Sequence, residues 1–310
     1  MKVLIAGATG FIGGHLTKAL VDRGDVVVVL TRDRDKARQR FADLPHDKIE
    51  IAQWDGQTAS GWLHQLEQSD AVINLTGANI GEGRWTNARK RDLLDSRIRP
   101  AKAFVAAIRE AKQKPKVLVQ ASGIGIYPST NNGDGPVDES SKPGTGFIAE
   151  LAQQWEHAAE EVASLGVRLV VIRTGVVLAV DGGALPKMLP PFKAGIGGPI
   201  GTGHQPMPWI HIDDEIGAIL HALDNAAVEG PVNLVAPGLV EQRLFARELG
   251  KALHRPAVLP TPGFVLKLTF GEMAEELLLR GQKARPKKLE QTGYQFKYPR
   301  LDDALKQILQ

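Results

Sequence analysis

Val3-Leu4-Ile5-Ala6-Gly7-Ala8-Thr9-Gly10-Phe11-Ile12-Gly13 stands at the head of the chain and decides how the rest is read. Four apolar residues suit a short buried strand, and the residues from Phe11 onward have the spacing of a helix. Between them lies G-x-x-G-x-x-G, a variant of the dinucleotide-binding fingerprint. Glycine serves such a turn because it accepts positive φ and because a Cβ would keep a pyrophosphate from approaching the backbone. The amide groups at the start of the helix then face anionic oxygens. The motif is weak in isolation, and it gains meaning from its place at the first strand–helix junction. Gly7, Gly10 and Gly13 are therefore candidate cofactor-binding residues.

Working outward, short β-branched runs alternate with helical patterns: Val3–Ala6, Val26–Leu30, Ile49–Ala52, Ala71–Leu75, Val117–Ala121 and Val167–Ile172 read as strands. Val26–Leu30 has no polar alternation, as expected of a parallel strand covered on both faces. Helices are expected at Phe11–Arg23, Asp35–Ala42, Thr86–Lys112 and Phe147–Leu165, with Pro100 kinking the third or starting a new one. The fold class is α/β, a Rossmann-like doubly wound parallel sheet with a smaller, discontinuous C-terminal substrate domain. Beyond residue 175 the clusters Gly182-Gly183, Pro190-Pro191 and Gly195-Ile196-Gly197-Gly198-Pro199-Ile200-Gly201 mark a loop-rich region. A helix over Asp213–Asn225 and a strand over Val232–Val235 return the chain to the sheet, before Ala246–Leu253 and the last sixty residues. The expected division is residues 1–175 plus about 205–235 for the cofactor domain, and about 176–204 plus 236–310 for the substrate region. No internal repeat is visible.

Composition removes several classes of function. The 310 residues are 43 % hydrophobic and 24 % charged, with a formal net charge of +3. That balance predicts a folded chain and no nucleic-acid partner. Cysteine is absent, which excludes thiolate chemistry, disulfides and Cys-based metal sites. The eight histidines lack ligand spacing, so no metal is expected. Met1-Lys2 is followed by too short an apolar run for a signal peptide, and no apolar stretch is long enough to span a membrane. A cytoplasmic protein without a membrane partner is the expectation. A homodimer is compatible with the sequence but not argued by it.

The choice of cofactor turns on the end of the second strand, where an acid would bind the adenosine ribose and an arginine would accommodate a 2′-phosphate. Thr31-Arg32 stands there, followed by Asp33, Arg34, Asp35 and Lys36. Arg32 favours NADP(H) over NAD(H); Asp33 reaching the ribose is the competing possibility.

At this point the chain resembles the extended short-chain dehydrogenase/reductases of the NAD-dependent epimerase/dehydratase superfamily. Within them it is similar to an atypical subgroup of epimerase-family proteins that carry a C-terminal domain of unknown function. The resemblance rests on Asn74-Leu75-Thr76-Gly77, Arg84-Trp85, Asp95-Ser96-Arg97-Ile98, Arg173-Thr174-Gly175-Val176-Val177-Leu178, Gly197-Gly198-Pro199-Ile200-Gly201 and Pro208-Trp209-Ile210-His211-Ile212. Gly271-Glu272-Met273, Gly281-Gln282 and Gly293-Tyr294-Gln295-Phe296 extend it to the C-terminal domain. It implies that Thr9, Gly10, Phe11 and Ile12 surround the pyrophosphate, Thr31 and Arg32 the 2′-phosphate, and Leu75, Thr76 and Gly77 the adenosine. Arg97 would meet a phosphate or ribose, and Val177 the nicotinamide end.

The superfamily's catalytic constellation is Ser/Thr at the end of the fifth strand plus Tyr-x-x-x-Lys on the next helix. Ser122 ends the right strand, but Phe147 and Leu151 stand where Tyr and Lys should. The three tyrosines, Tyr127, Tyr294 and Tyr298, are followed four places on by Asn131, Tyr298 and Asp302, so the dyad exists nowhere in the chain. Positioned proton transfer contributes about 10²–10⁴ in rate, which leaves Ser122, Tyr127 and His211 as candidate catalytic groups. Ser122 is also a candidate site-lining hydroxyl at the cofactor. Arg84, Trp85 and Trp209 are candidate substrate contacts; Trp209 and Phe192 either line an aromatic pocket opposite the nicotinamide or, by default, pack in the core. The leading expectation is an NADP(H)-binding oxidoreductase or epimerase-like protein acting on a small molecule. The alternative is an NADPH sensor without turnover. Some look-alikes carry a cell-division-inhibitor label, for which no residue here speaks.

Overall fold

The computed structural model describes residues 1–130 and 134–310; Asn131 lies outside them. Among the described residues nine strands follow in chain order: β1 Lys2–Ala6, β2 Val26–Thr31, β3 Ile49–Gln53, β4 Ala71–Asn74, β5 Val117–Gly123, β6 Arg168–Thr174, β7 Val176–Leu178, β8 Trp209–His211 and β9 Gly230–Leu234. Seven of them form one sheet in the order β3-β2-β1-β4-β5-β6-β9, and β7 pairs with β8 beside it. Every ladder is parallel. Crossovers between parallel strands need a covering element. The helices that supply it are α1 Phe11–Asp22, α2 Arg34–Arg40, α3 Leu63–Glu67, α4 Asn87–Glu110, α5 Phe147–His157 and α6 Glu161–Ser164. The later helices are α7 Leu185–Lys193, α8 Ile212–Asp224, α9 Gln242–Ala252, α10 Gly263–Phe270, α11 Glu272–Leu277, α12 Lys287–Gln291 and α13 Leu301–Leu309.

The six expected strands of the first half are all present, within two residues at each end. The uninterrupted Val run of β2 is buried from Val27 to Thr31, as a strand covered on both faces requires. Two expectations are corrected. Pro100 starts no new helix: α4 runs unbroken over 24 residues with Pro100 on its buried side. The expected helix over 147–165 is two pieces, α5 and α6, joined by a turn at 158–160. The short β7–β8 pair was not legible in the sequence, because three-residue strands lack a period to detect.

The main core fills both faces of the sheet. A second apolar cluster gathers Leu178, Leu185, Leu189, Phe192, Met207, Trp209, Phe245, Leu249, Leu301 and Leu305. Segments far apart in the chain thus pack together beside the carboxyl ends of the strands, where ligands bind in open α/β sheets.

Candidate functional site

The glycine loop takes the form that its spacing predicts. Gly7 has φ +83°, and a Cβ there would lie 2.8 Å from the backbone of Leu75, so β4 can approach only because residue 7 is glycine. A Cβ on Gly13 would stand 2.2 Å from the Gly7 carbonyl oxygen. The first turn of α1 is therefore tucked under the loop, with Gly10 at its N-cap and no acid in that turn. Phe11 is covered by a second loop, since a Cβ on Gly182 would meet its ring at 2.2 Å. Asp181 of that loop bonds His15 at 2.9 Å.

At the end of β2, Thr31 and Asp33 bond each other locally: the Thr31 hydroxyl donates to the Asp33 carbonyl and accepts from the Asp33 amide. The Asp33 carboxylate caps α2 by accepting from the Lys36 amide at 2.9 Å. Arg32 is exposed, and among the described residues its guanidinium has no hydrogen bond or ion pair. Its backbone carbonyl accepts from Gln53.

Arg97 is 7 % exposed, yet no carboxylate pairs with it among the described residues. Its guanidinium donates to the carbonyls of Leu93 (3.1 Å) and Ala78 (3.0 Å) and lies over Trp155 at 4.9 Å. Its Nε is buried without a partner, as is Nε1 of Trp155. Burial, and then the positive charge of Arg89, lower its pKa to about 10. A buried charge without a counter-ion is unfavourable by several kcal/mol. Gly77 lies flat on the same group, where a Cβ would come 3.1 Å from Cζ. Thr76 is fixed by Asn74, whose Oδ1 accepts from both its amide and its hydroxyl; Asn74 in turn donates to Gln120.

Ser122 and Arg173 are register partners on β5 and β6, and a residue from α5 joins them. Ser122 Oγ donates to Glu156 Oε1 at 2.6 Å. Arg173 donates to both carboxylate oxygens of Glu156, at 2.9 and 2.8 Å, a bidentate pair of the strong kind. The remaining arm of Arg173 donates to the Tyr127 oxygen at 2.7 Å, and that hydroxyl donates to Asn233 Oδ1 at 2.8 Å. Burial alone would lower the Arg173 pKa; the Glu156 carboxylate outweighs it and the pKa is raised. Burial pushes the Tyr127 phenol up, against the opposing pull of Arg173. Tyr127 is 2 % exposed, so it is a strut within this network.

Other expected residues lie elsewhere. His211 caps α8: its Nδ1 accepts from the Asp213 amide, and its Nε2 bonds Gln307 at 2.7 Å. Both ring nitrogens are engaged, and burial lowers its pKa. Trp209 and Phe192 are packed in the second apolar cluster, which fills the expected pocket with core. Trp85 is buried against Phe147, at 5.1 Å between ring centroids, and donates to Ile80. Phe147 and Leu151 sit in an apolar cluster with Leu93 and Met273. Arg84 is exposed and reaches the Leu268 carbonyl of α10 at 3.2 Å. Val177 belongs to the main core.

Two charged groups were missed by sequence reasoning. Glu156 carries no motif; only the pairing of Ser122 with Arg173 on adjacent strands brings it out. Glu215 is fully buried on α8, accepts from the Thr174 hydroxyl at 2.8 Å, and leaves Oε2 without a partner. Burial pushes its pKa up to about 8.

With this arrangement in hand, comparison with known proteins is decisive. Residues 3–235 match the NAD dependent epimerase/dehydratase family, and residues 261–308 match a domain of unknown function, DUF1731. The chain belongs to the NAD dependent epimerase/dehydratase family. Within the family it is 39 % identical to the human epimerase family protein SDR39U1 over 312 residues, covering all of both chains. It is 37 % identical to the epimerase family protein YfhF of Bacillus subtilis, over 100 % of this chain and 98 % of that one. The crystal structure of human SDR39U1 isoform 2 with NADPH superposes with a TM-score of 0.85 at 37 % identity, over 100 % of this chain and 99 % of that one. The UDP-glucuronic acid 4-epimerase of Bacillus cereus shares the fold, with a TM-score of 0.79 at 18 % identity over 100 % of this chain and 98 % of that one.

Proposed function

We propose that this family member binds NADP(H) along the carboxyl edge of the sheet and acts on a small molecule as an oxidoreductase or epimerase-like enzyme. The observation that carries the reading is the division of labour at the end of β2. Asp33 is spent on capping α2, while Arg32 is exposed and unpaired. A 2′-phosphate is the ligand group that uses the second and does not need the first. Arg97 adds support, because a buried cation with a free Nε suits a phosphate or ribose oxygen. The relative solved with NADPH points the same way.

In this reading Gly7, Thr9, Gly10, Phe11, Ile12 and Gly13 would hold the pyrophosphate. Thr31 and Arg32 would take the 2′-phosphate, Leu75, Thr76 and Gly77 the adenosine, and Val177 the nicotinamide end. When bound, the nicotinamide supplies hydride transfer. Because Ser122 spends its hydrogen on Glu156, its lone pairs are left to accept from a substrate hydroxyl. Glu156, clamped by Arg173, is a positioning residue that holds Ser122 in that orientation. Comparing thermal shifts with NADPH and NADH tests the cofactor assignment; saturating ligand at 100 times its Kd adds about 2.7 kcal/mol. No shift with NADPH would overturn it.

The second reading, an NADPH sensor without turnover, is favoured by one observation. The two positions that would carry the proton-transfer dyad are apolar and packed among Trp85, Leu93 and Met273. A panel of carbonyl compounds and nucleotide sugars separates the two, since NADPH binding without oxidation of any member supports the sensor.

A further inference from the structure

One part of the surface takes no share in this site. Of the nine large apolar side chains exposed among the described residues, five lie within 258–268: Val258, Leu259, Phe264, Val265 and Leu268. Phe264 is 73 % and Leu268 78 % exposed. They occupy α10 and the loop before it, and α10 buries none of its residues although five of its eight are large and apolar. Ile196, 61 % exposed, adjoins them, because the Leu259 amide donates to the Gly197 carbonyl at 3.2 Å.

The same surface turns basic at one edge. A cavity of about 450 Å³ is lined by Arg247, Lys251, His254 and Arg255 and ends on Val258, where the apolar stretch begins. Glu248 pairs with both Arg247 and Lys251, which leaves the cavity in positive excess. Arg255 is held at its rim by a bond from Nε to the Lys193 carbonyl. Isolated exposed apolar residues are ordinary; a contiguous group of them is a mark of an interaction surface. Apolar side chains flanked by cations match a bilayer boundary, with the cations at the lipid phosphates and the apolar groups at the acyl chains.

We propose that this face docks the protein on a bilayer containing anionic lipid. Phe264 and Leu268 enter the acyl boundary, and Arg247, Lys251 and Arg255 meet the headgroup phosphates. Charge complementarity selects the bilayer over a second copy of the chain. A two-fold contact through this patch sets each basic rim against the apolar edge of the other copy, and cations buried there without a counter-ion oppose association. No helix among the described residues is long and apolar enough to cross a membrane, so the contact is peripheral.

The test is co-sedimentation of the full chain with vesicles of phosphatidylcholine, alone or mixed with phosphatidylglycerol. Binding is expected only with phosphatidylglycerol and weakens as salt rises. Lys251→Ala and Arg255→Ala each reduce it about fivefold, and Phe264→Ser with Leu268→Ser reduces it about tenfold or more. These side chains are exposed, so the melting temperature stays unchanged and serves as the control for folding. Equal binding to both vesicles, or none to either, overturns the proposal. So does a dimer in solution that Phe264→Ser dissociates, which would assign the face to a second copy.

Discussion

Ser122 Oγ donates to Glu156 Oε1 at 2.6 Å, and this bond settles which way the hydroxyl at the end of β5 faces. The same carboxylate neutralises Arg173, whose side chain is 9 % exposed against 13 % for Glu156. Removing one partner of a buried pair leaves an uncompensated charge, so Glu156→Ala is expected to destabilise the fold by about 3 kcal/mol in urea unfolding. Replacing both, as Glu156→Leu with Arg173→Met, is expected to recover most of that loss. A double variant as unstable as the single one would show that the pair is not what Glu156→Ala disrupts.

Arg32→Ala separates the two nicotinamide cofactors. Loss of one charge-assisted hydrogen bond weakens NADPH binding roughly ten- to a hundredfold. Titration calorimetry with NADH should show little change, since NADH lacks the 2′-phosphate. Equal weakening of both would remove Arg32 from the 2′-phosphate site.

Arg97→Met should act differently. It removes a buried cation that no carboxylate compensates, so the melting temperature of the ligand-free protein stays level or rises. NADPH and NADH should both bind roughly tenfold more weakly, because the lost contact is to a group they share. A lower melting temperature with unchanged binding would make Arg97 a structural residue alone.

Glu215 gives the stability a pH dependence of known sign. Burial raises its carboxyl from 4.5 to about 8, so the folded state holds a proton that the unfolded state releases. Its contribution is complete below about 4.5 and is lost as pH rises to about 8. Glu215→Gln keeps the hydrogen-bonding shape without the titration. Its stability relative to the parent should therefore climb by a few kcal/mol across that window in denaturant curves. Parallel curves from acid to alkaline pH would contradict the assignment.

How much of this was legible in the chain depends on the range of the interaction. The Gly7-x-x-Gly10-x-x-Gly13 turn and the Val run of β2 are local patterns with a local cause, and the structure places both as read. The Asp33 cap is equally local, since a carboxylate bonding an amide three residues on is the ordinary start of a helix. Glu156 and Arg173 are 17 residues apart in sequence, and they meet Ser122 only through the register of β5 and β6. No period or spacing announces that. His211 is singled out in the sequence by the near-neutral pKa of an imidazole, a property of the residue type that says nothing of its partners, and here its ring nitrogens bond the Asp213 amide and Gln307. Trp209 and Phe192 carry two readings, because aromatic residues line pockets and fill cores alike, and their burial selects core packing.

The start of α5 is held from outside the seven-stranded sheet. Gly146 turns at φ +98°, and the Glu276 carboxylate of α11 accepts from the amides of Phe147 and Ile148. The helix that presents Glu156 to Ser122 is thus moored by a residue from the last fifty of the chain. The C-terminal segment therefore cannot be shortened or exchanged as an independent cassette: a chimera keeps the Ser122–Glu156 geometry only if its new tail delivers an acid to that same helix end.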